Sequence, residues 1–131
     1  MTPDELMAAA VGAAERAYAP YSGFRVGAAI LTSSGTVHLG CNVENASYGL
    51  SVCAERTAVF TMAAADPSGR TVLRVAVASP DVAPCFPCGA CRQVLHEFAC
   101  EEVLVQDGAS VRRHALSELL PHAFGPENLQ S

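Results

Sequence analysis

The 131-residue chain contains no lysine and no tryptophan, and all eight of its basic side chains are arginine. Without lysine, Schiff-base and pyridoxal phosphate chemistry and a phosphate-binding P-loop are excluded. Basic charge is also scarce: 13 acidic residues give a net charge of −5. A nucleic acid polymer is therefore not an expected partner, because a phosphate backbone requires a basic face. No apolar run approaches the roughly 20 residues that cross a membrane, so no membrane partner is expected either.

Half of the residues are hydrophobic and only 16% are charged, which excludes a disordered chain. A chain of this length buries most of its apolar surface without disulfides, so we expect residues 1–131 to form a single domain. The first residues contain no basic region ahead of an apolar stretch, so no secretory signal is expected and the reducing cytoplasm is the expected location. There, the six cysteines are better explained as metal ligands or buried hydrophobic residues than as disulfides.

Helix and strand signals alternate along the chain. Thr2 and Glu5 have the spacing of a capping box and predict a first helix from residue 3 to about 18. Further helices are predicted at 53–65, from 88 onward and at 115–120, and strands at 24–31, 36–42, 73–79, 102–106 and 111–114. This order favours a three-layer α/β/α fold with a mixed sheet of about five strands. Right-handed crossovers would then place the second and third helices side by side, with their N-termini at one sheet edge.

Three cysteines lie at the starts of those two helices. Cys88 and Cys91 are three residues apart and share a helix face, and Pro87 suits the first helical turn. Cys53 begins the other helix, and helix N-termini lower the pKa of thiols. Catalytic zinc takes three protein ligands and keeps one position for water, whereas structural zinc usually takes four protein ligands. We therefore predict a single zinc ion bound by Cys53, Cys88 and Cys91.

Two charged residues follow Cys53 closely. Glu55 is too near Cys53 to be an ordinary fourth ligand, but it is able to face the open position and move protons. Arg56 is expected to donate a hydrogen bond to the Cys53 sulfur and to offset the negative charge of three thiolates on Zn²⁺. Taken alone, such residues would simply complement the helix dipole or face solvent. The neighbouring cysteine motifs favour functional roles for both.

The segment Cys53-Ala54-Glu55, with Pro87-Cys88-Gly89-Ala90-Cys91-Arg92-Gln93, resembles the zinc nucleoside deaminases in their three-cysteine form. The likeness extends over almost the whole chain, since segments 22–29, 42–49 and 119–124 resemble the small homotetrameric cytidine deaminases. This resemblance implies a cytidine deaminase-like fold with one Zn²⁺ per subunit. It also implies hydrolysis of cytidine and 2′-deoxycytidine to uridine and 2′-deoxyuridine with release of ammonia, in pyrimidine salvage.

The resemblance further implies the roles of individual residues. Glu55 is expected to deprotonate the attacking water and to deliver protons to ring N3 and to the departing amine. Asn42 and Glu44 are expected to hold the ribose hydroxyls, and Phe24 to stack near the pyrimidine. The complete set of expected substrate contacts is Phe24, Asn42, Glu44, Asn45, Ala46, Ser47, Tyr48, Ala54 and Phe124. Within that set, residues 46–48 and Phe124 are expected to complete sites across the subunit interfaces of a homotetramer.

Cys85 departs from the motif and leaves an alternative open. Cys85 and Cys88 form a second Cys-x-x-Cys, and Cys85 as a fourth ligand would make the zinc structural and the chain a binding module. We favour Cys88 and Cys91, because Pro87 marks the helix start immediately before Cys88. A deaminase of an aminoacyl-nucleoside antibiotic shares both cysteine motifs, but segment 42–45 favours a nucleoside enzyme.

Overall fold

The computed structural model describes residues 1–129, which form a five-stranded sheet between two layers of helices. The helices are α1 (Pro3–Ala14), α2 (Ala54–Ala65), α3 (Gly89–Glu97) and α4 (Leu116–Leu119); the strands are β1 (Gly27–Thr32), β2 (Val37–Cys41), β3 (Val72–Ala78), β4 (Glu102–Asp107) and β5 (Ser110–Ala115). The strand order is β2-β1-β3-β4-β5, with β3 and β4 parallel and the other neighbouring pairs antiparallel. The predicted α/β fold with a mixed sheet is confirmed. No helix within residues 1–129 is long and apolar enough to span a membrane.

The sheet separates two hydrophobic clusters. Helix α1 packs on one face, and α2 and α3 pack side by side on the other. Two glycines allow the helices to approach closely. A Cβ on Gly27 would lie 2.0 Å from the Ala10 carbonyl oxygen in α1, and a Cβ on Gly40 would lie 2.4 Å from the Ala58 nitrogen in α2. The absence of a side chain at Gly27 and Gly40 therefore allows α1 and α2 to pack directly on the sheet. The first turn of α2 carries part of the site.

Two elements begin or end three or more residues from the limit that the sequence predicts. Helix α1 ends at Ala14 rather than near Tyr18, because the backbone of Tyr18 pairs with the loop after β2. The Tyr18 N–H donates to the Asn42 carbonyl at 2.9 Å, and the Tyr18 carbonyl accepts from the Glu44 N–H at 2.8 Å. Strand β1 begins at Gly27 rather than at Phe24. The Asn42 side chain forms hydrogen bonds with the backbone of Phe24 and Val26, so this segment is a loop beside the site rather than part of the strand.

Candidate metal centre and active site

Three thiols converge where α2 and α3 begin. Cys53 and Cys88 are the N-cap residues of these helices, and Cys91 lies buried in the first turn of α3. Their sulfur atoms all lie within 4.8 Å of one another, and those of Cys53 and Cys88 are 3.8 Å apart. Three soft sulfur donors at this spacing fit one tetrahedral zinc ion and leave its fourth position without a protein ligand. Cys85 lies outside this group of sulfur atoms.

The thiols are electrostatically coupled to Arg56. Hydrogen bonding from Cys91, then from Arg56 and Cys88, lowers the pKa of Cys53 to about 5. Arg56 Nη2 lies 3.4 Å from Cys53 Sγ, and this interaction raises the arginine pKa. The hydrogen bond with Cys53, followed by burial, raises the pKa of Cys91. These hydrogen bonds favour the thiolate form of Cys53, and the thiolate is the form of cysteine that binds metal.

Glu55 lies in the first turn of α2 and is only 3% exposed. Burial raises the pKa of its carboxyl to about 7. The cause is desolvation, which disfavours the ionised form. A carboxyl that titrates near neutral pH accepts and releases protons under the same conditions, as an acid-base catalyst requires.

A pocket of about 200 Å³ opens beside the thiols and Glu55. The predicted site residues that line it are Phe24, Asn42, Cys53, Ala54, Glu55 and Cys88. Cys85 and Phe86 line it as well; Cys85 was expected here only in the alternative of a four-cysteine zinc site, and Phe86 was not predicted from the sequence. Their position in the sequence, immediately ahead of the Pro-Cys-x-x-Cys motif, was the one signal that could have predicted them as part of the pocket wall. Burial raises the pKa of Cys85 to about 11, so this thiol is a neutral part of the wall.

Asn42 and Glu44 support the loop that carries Phe24. Asn42 Oδ1 accepts from Val26 N at 2.8 Å, and its Nδ2 donates to Phe24 O at 2.7 Å. Glu44 accepts from the Ser22 hydroxyl and from the backbone N–H groups of residues 21 and 22, and these bonds lower its pKa. Glu44 lines a separate pocket of about 240 Å³ rather than the one beside the thiols. The loop-supporting contacts of both residues were missed from the sequence.

The other predicted substrate contacts lie apart from the thiol pocket. Asn45, Ala46, Ser47, Tyr48 and Phe124 do not line it within this chain. The Tyr48 and Phe124 residues are 75% and 60% exposed. Gln93 Nε2 in α3 donates to Phe124 O at 2.7 Å, so the backbone at Phe124 is fixed while its side chain faces outward.

Residues 1–107 match the family model of the cytidine and deoxycytidylate deaminase zinc-binding region. The chain belongs to this family. It is 46% identical over 127 residues to the cytidine deaminase of Halalkalibacterium halodurans, covering 95% of each chain. It is 45% identical over 120 residues to the cytidine deaminase of Mycobacterium tuberculosis, covering 92% of this chain and 87% of the relative. The crystal structure of cytidine deaminase from Burkholderia pseudomallei superposes with a TM-score of 0.86 at 48% identity, covering 95% of this chain and 100% of that one.

These similarities and the cysteine cluster confirm the predicted family, the deaminase fold and the zinc cofactor. The similarities cover nearly the whole length of each chain, so the likeness includes the loops around the site as well as the cysteine motifs.

Proposed function

We propose that this protein is a pyrimidine salvage enzyme that hydrolyses cytidine and 2′-deoxycytidine to uridine and 2′-deoxyuridine, releasing ammonia. The observation that carries the proposal is the meeting of three thiols and a buried carboxyl at one pocket. Family membership and the named activity of the relatives support a cytosine nucleoside as the substrate.

Cys53, Cys88 and Cys91 would hold one zinc ion per subunit. When bound, the ion supplies the Lewis acidity that makes water a nucleophile near neutral pH. Three thiolates exceed the charge of one Zn²⁺, so the site needs positive charge nearby. The hydrogen bond from Arg56 to Cys53 and the N-termini of α2 and α3 supply it.

Glu55 carries the protons through the reaction. It takes a proton from the attacking water and passes it to ring N3, while the water oxygen bonds to C4. It then transfers the remaining hydroxyl proton to the amino group, the C4–N bond breaks, and ammonia leaves as the C4 carbonyl forms. The burial of Glu55 keeps bulk water away from these transfers. Ala54, at the start of α2, lines the pocket and is proposed to contact the substrate through its backbone.

Phe24 would provide an apolar surface for the pyrimidine, and Asn42 and Glu44 would bind the ribose while supporting the Phe24 loop. Glu44 is suited to both tasks. An ionised carboxylate has about four acceptor positions, and three of those on Glu44 are used by the Tyr21 N–H, the Ser22 N–H and the Ser22 hydroxyl. One remains for a ribose hydroxyl.

We also propose a cytoplasmic homotetramer in which residues 46–48 and Phe124 of one subunit complete a site on another. The exposure of Tyr48, Leu50 and Phe124 supports an interface, because large exposed apolar side chains mark contact surfaces. The six cysteines are free thiols, which agrees with a reducing compartment. A mass in solution equal to four chains of 13.6 kDa would support the assembly, and a monomer would contradict it.

The activity is tested with the zinc-loaded protein, by measuring zinc per chain together with uridine and ammonia formed from cytidine. We expect one zinc per chain and equal amounts of the two products. Stoichiometric zinc without ammonia release would contradict the enzyme and favour a binding module.

A further inference from the structure

The loop between β3 and α3 forms one wall of the thiol pocket. Cys85 and Phe86 in this loop line the pocket together with Glu55. Phe86 is partly buried and packs against the hydrophobic cluster beneath α2 and α3. Phe86 lies two residues before Cys88, and both residues line the same pocket.

The Phe86 ring is held in place by two side chains of β5. The His114 ring meets it edge to face, with centroids 5.2 Å apart and planes at 64°. The guanidinium carbon of Arg112 lies 5.7 Å from the Phe86 centroid. Both arrangements are attractive, since the face of an aromatic ring carries partial negative charge. Arg112 is anchored in turn by Asp107 at 3.5 Å, and His114 lies 3.8 Å from Glu118. The contacts with His114 and Arg112 hold the Phe86 ring against β5.

We propose that Phe86 is a specificity-determining residue that limits the size of the exocyclic amine the enzyme accepts. The inference rests on the proposed cytidine deaminase function, which puts C4 and its amino group beside Glu55 and the thiols. The pocket holds about 200 Å³, and an N4-alkyl group would extend further than an unsubstituted amine toward the wall that includes Phe86. A rigid apolar wall discriminates by size, and one carbon in such a pocket changes selectivity about tenfold or more.

The test compares kcat/KM for N4-methylcytidine and cytidine, following uridine as the common product. Hydrolysis of N4-methylcytidine consumes one water and releases methylamine. In Phe86→Leu we expect the ratio of the two kcat/KM values to rise about tenfold or more. In Phe86→Trp the ratio should fall. In Arg112→Met, which removes the cation from the ring face, the ratio should rise by a smaller factor.

Phe98→Leu is the matched control. Phe98 is also partly buried against the same cluster, but it does not line the pocket. It should show a comparable change in thermal unfolding and an unchanged selectivity ratio. An unchanged ratio in Phe86→Leu, or an equal rise in Phe98→Leu, would overturn the proposal.

Zinc content and thermal unfolding check the fold of each variant. If Phe86→Leu does not fold, the selectivity ratios of Phe86→Trp and Arg112→Met test the proposal. Unchanged ratios in both variants would overturn it. Failure of the unmodified enzyme to convert cytidine contradicts the proposed function instead, so the two failures are distinguishable.

Discussion

Replacing Glu55 by glutamine should lower activity and raise the stability of the metal-free protein. The amide keeps the shape of the side chain but cannot carry a proton. Acid-base catalysis usually contributes 10² to 10⁴ in rate, and Glu55 is proposed to act in two transfers, so we expect kcat to fall about 10³-fold or more. Zinc content should stay at one per chain, because Glu55 is not among the three clustered ligands.

The gain in stability follows from the burial of Glu55. Burial raises the pKa of the carboxyl from 4.5 to about 7, which corresponds to about 3 kcal/mol of folding free energy. Between pH 4.5 and 7 the folded protein keeps a proton that the unfolded chain has released, so the stability falls as pH rises through this range. Above pH 7 the full penalty applies, and Glu55→Gln removes it.

Urea unfolding of the zinc-free, reduced proteins measures this difference. At pH 8 we expect Glu55→Gln to be more stable by up to about 3 kcal/mol, and at pH 5 by less than about 1 kcal/mol. Glu97→Gln makes the same chemical change at an exposed position of α3 and should alter neither property. A kcat within tenfold of the unmodified enzyme would refute the proton-transfer role. A stability difference that does not depend on pH would refute the desolvation of Glu55.

Three further predictions concern the ligands and the sheet. Arg56→Met should reduce zinc affinity or kcat by 10- to 100-fold, because the Cys53 thiolate loses the cation that donates a hydrogen bond to it. Metal competition measures the affinity, and steady-state kinetics measure kcat. Cys85→Ser should keep zinc content and turnover near those of the unmodified enzyme, whereas Cys88→Ser should lose zinc in metal analysis; zinc loss in both would make Cys85 a ligand. Gly27→Ala should destabilise the protein in urea unfolding by about 3 kcal/mol, because the new Cβ meets the α1 backbone. Gly12→Ala, whose Cβ meets nothing within 4 Å, should stabilise it by up to about 1 kcal/mol, and equal effects would contradict the packing explanation.

Structural features that depend only on residues close together in the sequence were predictable from it. The Thr2–Glu5 capping box is present in both directions, and it starts α1 where expected. The short strand predicted at 111–114 is present as β5. The end of α1 was wrong by several residues, because it is decided by pairing between Tyr18 and the loop after β2. No local pattern encodes a contact between segments more than 20 residues apart.

In the site, too, the features set by residues close in sequence were predictable, and those set by contacts between distant segments were not. The Cys-x-x-Cys spacing places Cys88 and Cys91 together from sequence alone, and the alternation of helices and strands brings Cys53 to them. The role of Asn42 in holding the loop at Phe24 was not visible, since it depends on how the chain folds back between the two. Phe86 was not visible for the same reason, because its supports come from β5.

Each ligand-bearing helix begins at a metal ligand, since Cys53 and Cys88 are N-cap residues. A residue inserted in the loop between β3 and α3, ahead of Cys85, lengthens that loop without changing the spacing of Cys88 and Cys91. A residue inserted between Cys88 and Cys91 would rotate Cys91 about 100° around the helix and carry its sulfur away from the others. Tolerance to insertions is therefore one-sided at Cys88. Lineages of this enzyme should differ in the length of the β3–α3 loop ahead of Cys85 and keep a fixed number of residues between Cys88 and Cys91.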